Sequence, residues 1–117
     1  MFLKLNHQKL AVYNCSRQFV FECYKLTKHL PADEKFGMIT QIRRAALSVY
    51  LNIAEGCSRK SFSERKRFFE IARGSVIEID AVLEIANDLG YLKEIPMNEL
   101  EEKMVNCFKM LCGLMNP

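Results

Sequence analysis

The chain has 117 residues, of which half are hydrophobic and about a quarter are charged, and its formal net charge is +3. These values are typical of a globular protein with one core, so we expect a single domain over residues 1–117. The apolar runs stay well short of the roughly 20 residues that a membrane span needs, and the N-terminus is too short and polar for a secretory signal. We therefore expect a cytoplasmic protein without membrane contact.

A first helix is predicted from His7 to about Leu30, with Asn6 as its cap. Its core stripe is expected at Val12, Cys15, Phe19, Cys23, Leu26 and Leu30. A second, largely aromatic stripe lies on the other side, at Leu10, Tyr13, Val20, Phe21 and Tyr24. Because one small core cannot cover a helix on two sides, the second stripe favours contact with another subunit.

The second helix is predicted from Ala32, just after Pro31, to Gly56. Its core stripe is Ile39, Ile42, Ala46, Val49 and Ile53. A second apolar arc lies roughly 80–180° away, at Leu47, Tyr50, Leu51 and Ala54. A narrow polar arc separates the two, formed by Arg44, Ser48, Asn52 and Glu55. This helix repeats the two-sided pattern of the first, so both predict association.

Ser61 and Glu64 form a capping box that predicts the start of a third helix. Its core stripe is expected at Phe68, Ala72, Ser75, Val76, Ile79, Leu83 and Ala86. Gly74 lies mid-helix on a back face shared with Ile77, Ala81 and Ile85, where close approach of another helix would explain a glycine.

Gly90 predicts the end of this helix, and Pro96 with the N-E-L-E box from Asn98 predicts the start of a fourth. The fourth helix has its apolar stripe at Leu100, Met104, Cys107, Phe108, Leu111 and Leu114. The sequence shows no strand pattern. Four long helices joined by short loops predict an all-α fold, an antiparallel up-down-up-down four-helix bundle.

Charge is distributed unevenly along the chain. Residues 43–77 contain eight Lys or Arg residues against three acidic residues, whereas residues 78–117 contain three against eight. Up-down topology would place the basic charges at one end and the acidic charges at the other. The basic end would carry Arg59, Lys60, Arg65, Lys66 and Arg67, with Lys4, Lys9 and Lys109 nearby. The acidic end would collect Asp33, Glu34, Asp88, Glu94, Glu99, Glu101 and Glu102, partly offset by lysines.

We call residues 59, 60, 65, 66 and 67 the basic turn. It can bind phosphates, although a solvated turn with ordinary surface charge is the simpler explanation. An oligomer with several such turns on one face would have a stronger positive electrostatic field and a higher avidity for polyanions. This favours nucleic acid as the ligand. Phe62 could stack on a base or serve as a staple for the helix start.

Three short motifs carry a resemblance to a known family: R-A-A-x-S from Arg44, N-I-A-E-G from Asn52 and A-R-G-S from Ala72. From Lys9 to the fourth helix, the chain resembles the bacterial four-helix-bundle family of 23S rRNA intervening-sequence proteins, although it lacks the proline that the family often has near Leu51. The resemblance implies a homopentameric ring. It also implies kinship with the accessory protein of diversity-generating retroelements, a basic pentamer that binds nucleic acid and a reverse transcriptase.

Polar residues on the second and third helices look at first like an active site: Arg44, Ser48, Asn52, Glu55, Arg73, Ser75 and Glu78. In a hairpin that turns near residue 59, we expect Arg44 to pair with Glu78 within one subunit. Arg73 and Glu55 lie too far apart along that hairpin, so we expect them to pair across subunits. Buried, paired polar groups fix register and oligomer state more than they add stability, so a structural role is predicted.

No catalytic residue is predicted. The sequence has no Glu-x-x-His pair, P-loop or G-x-G-x-x-G. His7 and His29 lack acidic neighbours at ligand spacing, so we expect no metal and no other cofactor. Five cysteines without a C-x-x-C pair indicate reduced thiols, and Cys57 has no base beside it to activate it.

The favoured function is therefore a non-catalytic oligomer that binds nucleic acid, with RNA preferred, through the basic turn. The alternative is an oligomeric scaffold or accessory protein whose client is another protein, such as a reverse transcriptase, without direct nucleic-acid contact. A hydrolase or redox enzyme would need an unforeseen cofactor. No base-reading motif is present, so no sequence specificity is predicted.

Overall fold

The computed structural model describes residues 2–5 and 10–116, and within them it has four α-helices and no strand. The helices are α1 at Ala11–Thr27, α2 at Thr40–Cys57, α3 at Phe62–Asp88 and α4 at Asn98–Met115. The 27 residues of α3 span about 40 Å, close to the longest dimension of the molecule, 44 Å. Consecutive helices pack together and α4 packs back against α1, which is the arrangement of a four-helix bundle.

One hydrophobic cluster joins the buried faces of the four helices. The predicted core stripe of α1 is confirmed, since all its members are buried. In α4 the stripe is confirmed at Leu100, Met104, Cys107 and Leu111, whereas Phe108 and Leu114 lie partly exposed at its edge. Among the described residues, no helix is long and apolar enough to cross a membrane.

The second stripe of α1 is divided between surface and core. Phe21 is 59% exposed and Leu10 is 43% exposed, as an outward-facing stripe requires. Tyr13 is buried, which corrects its predicted place on the outside. Its ring centroid lies 4.8 Å from that of Tyr50, and its hydroxyl accepts a hydrogen bond from the Tyr50 hydroxyl at 2.5 Å. The predicted cap and first helical residue, Asn6 and His7, lie outside the described residues.

The α2 helix begins later than predicted. A 3-10 turn at Ala32–Glu34 and a π-type turn at Lys35–Ile39 precede it, and the backbone leaves helical geometry at Gly37. The Glu34 side chain accepts a hydrogen bond from the Met38 amide at 3.3 Å, so it satisfies a donor at this interruption. Most of the predicted core stripe of α2 is buried as expected: Ile42, Ala46, Val49 and Ile53.

Gly56 is a contact point between α2 and α3 and not the predicted helix stop, since α2 continues to Cys57. A Cβ at Gly56 would lie 2.8 Å from Phe69 Cε1 and 3.0 Å from Phe68 Cβ. The absence of a side chain therefore lets α3 come close. Phe69 is buried here and Phe68 is half-buried, which corrects the predicted core position by one residue.

Gly74 is exposed, and no atom of the described residues lies within 4 Å of a Cβ built on it. The close approach predicted there is therefore wrong within this chain. Gly90 does end α3 as predicted, with φ of 81°. The Gly90 amide donates to the Asn87 carbonyl and the Tyr91 amide to the Ala86 carbonyl, each at 3.0 Å, which is the bond pair of a Schellman motif.

The start of α4 differs from the N-E-L-E box in the sequence. Asn98 is the first helical residue, Met97 occupies the cap position, and no side chain caps the helix. Because a capping side chain must stand one residue before the helix, the box is one position out of register. The acidic residues Glu99 and Glu101 still lie in the first turn, where the helix dipole favours them.

Candidate nucleic-acid interface

The basic turn lies where α2 ends and α3 begins. The side chains of Arg59, Lys60 and Arg67 are exposed, whereas Arg65 and Lys66 are half-buried. The five predicted residues thus occupy the connection and the first two turns of one helix, and three of them are open to solvent.

Arg65 stabilises the turn itself. Its Nη1 donates to the carbonyl of Arg59 at 3.0 Å and to the carbonyl of Lys60 at 2.7 Å. Carbonyl oxygens accept these bonds without neutralising the guanidinium, so Arg65 still contributes positive charge. The sequence predicts Arg65 only as a phosphate-binding residue and not in this structural role, because no local pattern indicates a side chain that folds back onto a preceding turn.

Arg59 is partly neutralised within the chain. Its Nη2 lies 3.2 Å from Glu55 Oε2, and its guanidinium lies 5.0 Å from the centroid of the Phe68 ring. Both charged side chains of the pair are substantially exposed, so the pair adds little stability and is easily exchanged for another partner. The predicted cross-subunit pair of Glu55 with Arg73 stays a prediction, but in this chain Glu55 already has Arg59 as a partner.

The start of α3 adds to the field of the basic turn. The Ser61 hydroxyl accepts a hydrogen bond from the Glu64 amide at 3.2 Å, which confirms the predicted cap. The positive end of the α3 dipole therefore lies among the lysine and arginine side chains. Phe62 is 42% exposed, as a base-stacking ring would need to be. A shallow hollow of about 430 Å³ opens here, lined by Arg59, Glu64, Arg67, Phe68 and Ile71.

Cys57 lies beside the basic turn but is not an activated thiol. Burial raises the pKa of Cys57, and nearby Arg65 offsets this only in part. A raised pKa keeps the thiol protonated at neutral pH, which is the wrong direction for a nucleophile. In the part of the chain that the structure describes, no group of three or more His, Cys, Asp or Glu residues could hold a metal ion.

Three members of the predicted polar set meet between α2 and α3. The Ser75 hydroxyl donates to Ser48 Oγ at 2.9 Å. Asn52 Nδ2 donates to Ser48 Oγ at 3.1 Å and to the Ser48 carbonyl at 2.8 Å. All three residues are half-buried, so these bonds satisfy polar groups at a helix–helix seam.

The other predicted pair, Arg44 with Glu78, is wrong. Glu78 Oε2 accepts a hydrogen bond from Gln41 Nε2 at 2.6 Å. Arg44 is exposed and forms no ion pair among the described residues. The reason is its position around α2: Gln41 lies on the side towards α3, whereas Arg44 shares the outward side with Leu47 and Leu51. Arg73 lies against α4, with its Nη1 3.7 Å from Cys112 Sγ.

A family model described as 23S rRNA-intervening sequence protein matches residues 8–113. The match covers α1, α2, the basic turn, α3 and nearly all of α4. A search of curated proteins finds no match to this chain.

Proposed function

This chain belongs to the 23S rRNA-intervening sequence protein family, and from that premise we propose that it is a non-catalytic, oligomeric protein that binds RNA phosphates through the basic turn. The observation that carries the proposal is the exposure of Lys60, Arg67 and Arg59 around the capped start of α3. Clustered cations beside the positive end of a helix dipole attract a polyanion without reading its sequence. The proposed function requires no cofactor.

We propose that the helices alternate in direction, as in an up-down-up-down bundle. Contacts between α2 and α3 support this. Gln41, at the start of α2, bonds to Glu78 in the second half of α3, whereas Gly56, at the end of α2, contacts Phe69 in the first half of α3. Contacts between α1 and α2 support it too. Tyr13 bonds to Tyr50, and Thr27 accepts a hydrogen bond from Arg43 at 2.8 Å.

This topology separates the charges of the molecule. At the end opposite the basic turn, the Tyr91 hydroxyl donates to Glu34 Oε2 at 3.3 Å, which brings two acidic stretches of the sequence together. RNA would be attracted to one end and repelled by the other, so the charge pattern orients the approach as well as strengthening it.

We propose that the working form is a homo-oligomer, with five subunits as the family resemblance implies. Large apolar side chains on several helices support association, since Phe21, Leu51, Ile77 and Ile85 are each more than half exposed. Several basic turns held on one assembly would bind one RNA with higher avidity than a single chain.

The test is RNA binding by a charge-neutralised variant, Lys60→Gln/Lys66→Gln/Arg67→Gln. These three residues form no ion pair among the described residues, and Arg65 is left in place because it shapes the turn. The matched control, Lys28→Gln/Lys35→Gln/Lys93→Gln, removes the same charge from exposed positions outside the basic turn. Fluorescence anisotropy with a structured RNA at several salt concentrations measures affinity and its salt dependence.

We expect the basic-turn variant to bind more weakly, with a log–log salt slope smaller by about 2 because each lost phosphate contact removes roughly 0.7–0.9. The control variant should bind like the wild type, and light scattering should show both variants as the same oligomer. Equal binding by the two variants would contradict the proposal.

A second candidate is an oligomeric scaffold for another protein, such as a reverse transcriptase. One observation favours it: Arg59 and Arg65 already have partners within the chain, which leaves fewer free cations at the turn. This function predicts no RNA retention at physiological salt and a client that still binds the basic-turn variant.

A further inference from the structure

The outward side of α3 is an apolar stripe that the described residues leave exposed. Ile77 and Ile85 are each 53% exposed, and Gly74 and Ala81, on the same side, are also exposed. Ile71 extends the stripe towards the basic turn and is 46% exposed. Leucine-sized apolar groups left this open along four turns of one helix are typical of a protein contact surface.

Acidic residues border this stripe. From residue 70 to residue 88, α3 has five acidic residues and Arg73 as its one basic residue. The acidic residues, all exposed, are Glu70, Glu78, Asp80, Glu84 and Asp88. Glu78 bonds to Gln41 of its own chain, whereas the other four form no ion pair among the described residues.

The outward side of α1 and α2 has the opposite character. Leu47 and Leu51 are 41% and 58% exposed on α2, and Phe21 is 59% exposed on α1. The two helices contain four basic residues, Arg17, Lys25, Arg43 and Arg44. Their two acidic residues are each already paired within the chain, Glu22 with Lys25 and Glu55 with Arg59.

We propose that the α2 face around Leu47 and Leu51 of one copy docks on the α3 stripe of a second copy, with Arg44 and Arg17 against the acidic border. Burial of the two apolar stripes supplies the attraction, and the opposite charges set the register. A symmetric contact of α3 on α3, or of α2 on α2, would instead place like charges together, which is unfavourable.

The contact joins two different surfaces of the same chain, so it is head-to-tail and forms a closed ring wherever the rotation between copies closes. It rests on the oligomeric part of the proposed function and adds which faces meet. It also gives the exposed Arg44 a role that its own chain does not supply.

The experiment uses reversal of charge on each face and on both. One variant is Arg17→Glu/Arg44→Glu, a second is Asp80→Lys/Glu84→Lys, and a third combines all four substitutions. The four residues are exposed on helices and form no ion pair among the described residues, so the fold should survive, which circular dichroism checks. Sedimentation at micromolar concentration measures assembly of each variant beside the wild type.

We expect each two-site variant to assemble at least about tenfold more weakly than the wild type, because like charges then face each other. The four-site variant should regain assembly, since its charges are again opposite, but it should not join wild-type rings in a mixed pull-down. A control with Lys35→Glu/Lys93→Glu, exposed and outside both faces, should assemble normally.

A wild-type chain that stays monomeric would overturn both the oligomeric function and this contact, and would leave the faces for another protein. A wild-type oligomer whose two-site variants assemble normally would overturn the contact alone. The contact would equally be wrong if the two-site variants dissociated and the four-site variant did not recover.

Discussion

At the scale of single residues, Gly56 sets the distance between α2 and α3 next to the basic turn. The Phe69 ring and the Cβ of Phe68 pack where its side chain would be. We expect Gly56→Ala to lower the free energy of unfolding by about 1–3 kcal/mol, because the added methyl overpacks the contact with Phe69. Urea denaturation measures the change.

Gly113→Ala is the matched control for this substitution. Gly113 also lies in a helix, and within the part of the chain that the structure describes no atom comes within 4 Å of a Cβ built on it. Its stability should stay the same or rise by up to about 1 kcal/mol, since alanine is the better helix former. An equal loss of stability in both variants would indicate that the close approach at Gly56 is not the cause.

Two buried cysteines give the protein a predictable response to alkaline pH. Burial raises the pKa of Cys23 and of Cys107 from the ordinary value of 9.0 to about 12. Because the pKa is higher in the folded state, these two thiols lose their protons at a lower pH in the unfolded chain than in the folded protein. The associated stability is therefore complete below pH 9 and is lost as the pH rises from 9 towards 12.

We expect the free energy of unfolding of the wild type to fall in this range by up to about 1.4 kcal/mol per pH unit for each thiol. The Cys23→Ala/Cys107→Ala variant should be less stable at neutral pH but should lose less stability between pH 9 and pH 11. Urea titrations at several pH values compare the two slopes. Tyr50, whose pKa burial and Tyr13 also raise to about 12, is present in both proteins and does not affect the comparison. Parallel slopes would contradict the prediction.

At the scale of helices, α3 depends on its cap. The Ser61 hydroxyl binds the Glu64 amide, so Ser61→Ala should lower the free energy of unfolding by about 1 kcal/mol. Ser63→Ala, two residues on and exposed at the same helix end, should change it by less than about 0.5 kcal/mol. Chemical denaturation of the two variants provides the comparison, and a smaller loss for Ser61→Ala than for Ser63→Ala would argue against the cap.

The number of helices, both ends of α3 and most of the core stripes could be predicted from the sequence. Helical periodicity is a local property, so five α1 residues such as Phe19 and Cys23, and Leu30 just beyond the helix, can be assigned to the core without knowledge of their neighbours. The beginning of α2 could not be predicted in this way, because the interruption at Gly37 involves a hydrogen bond between the Glu34 side chain and the Met38 amide.

At the scale of the whole molecule, association should appear in the thermal stability. If apolar faces are buried between copies, association stabilises the folded chain, and by mass action the melting temperature rises with protein concentration. We expect the midpoint of the wild type to rise over a hundredfold range of concentration, measured by circular dichroism. The Arg17→Glu/Arg44→Glu variant should show a smaller rise, whereas a midpoint independent of concentration in the wild type would argue for a monomer.

The basic turn could be found from sequence because its charges are close along the chain. Its internal arrangement could not be predicted from sequence. Arg65 donates to the backbone carbonyls of Arg59 and Lys60, and the Arg59 side chain bonds to Glu55. These contacts separate Arg59 and Arg65, which already have partners, from Lys60, Lys66 and Arg67, which form no ion pair among the described residues.

By itself, the sequence determined the helical class, the inward stripes, the cap at Ser61 and the clustering of positive charge, since each depends on residues within a few positions of one another. Only the tertiary structure decided that Tyr13 is buried against Tyr50, that Gly56 and not Gly74 admits a neighbouring helix, and that Gln41 takes the place predicted for Arg44. Those outcomes depend on how one helix is rotated about its axis relative to the next, which the packing of several distant side chains fixes together.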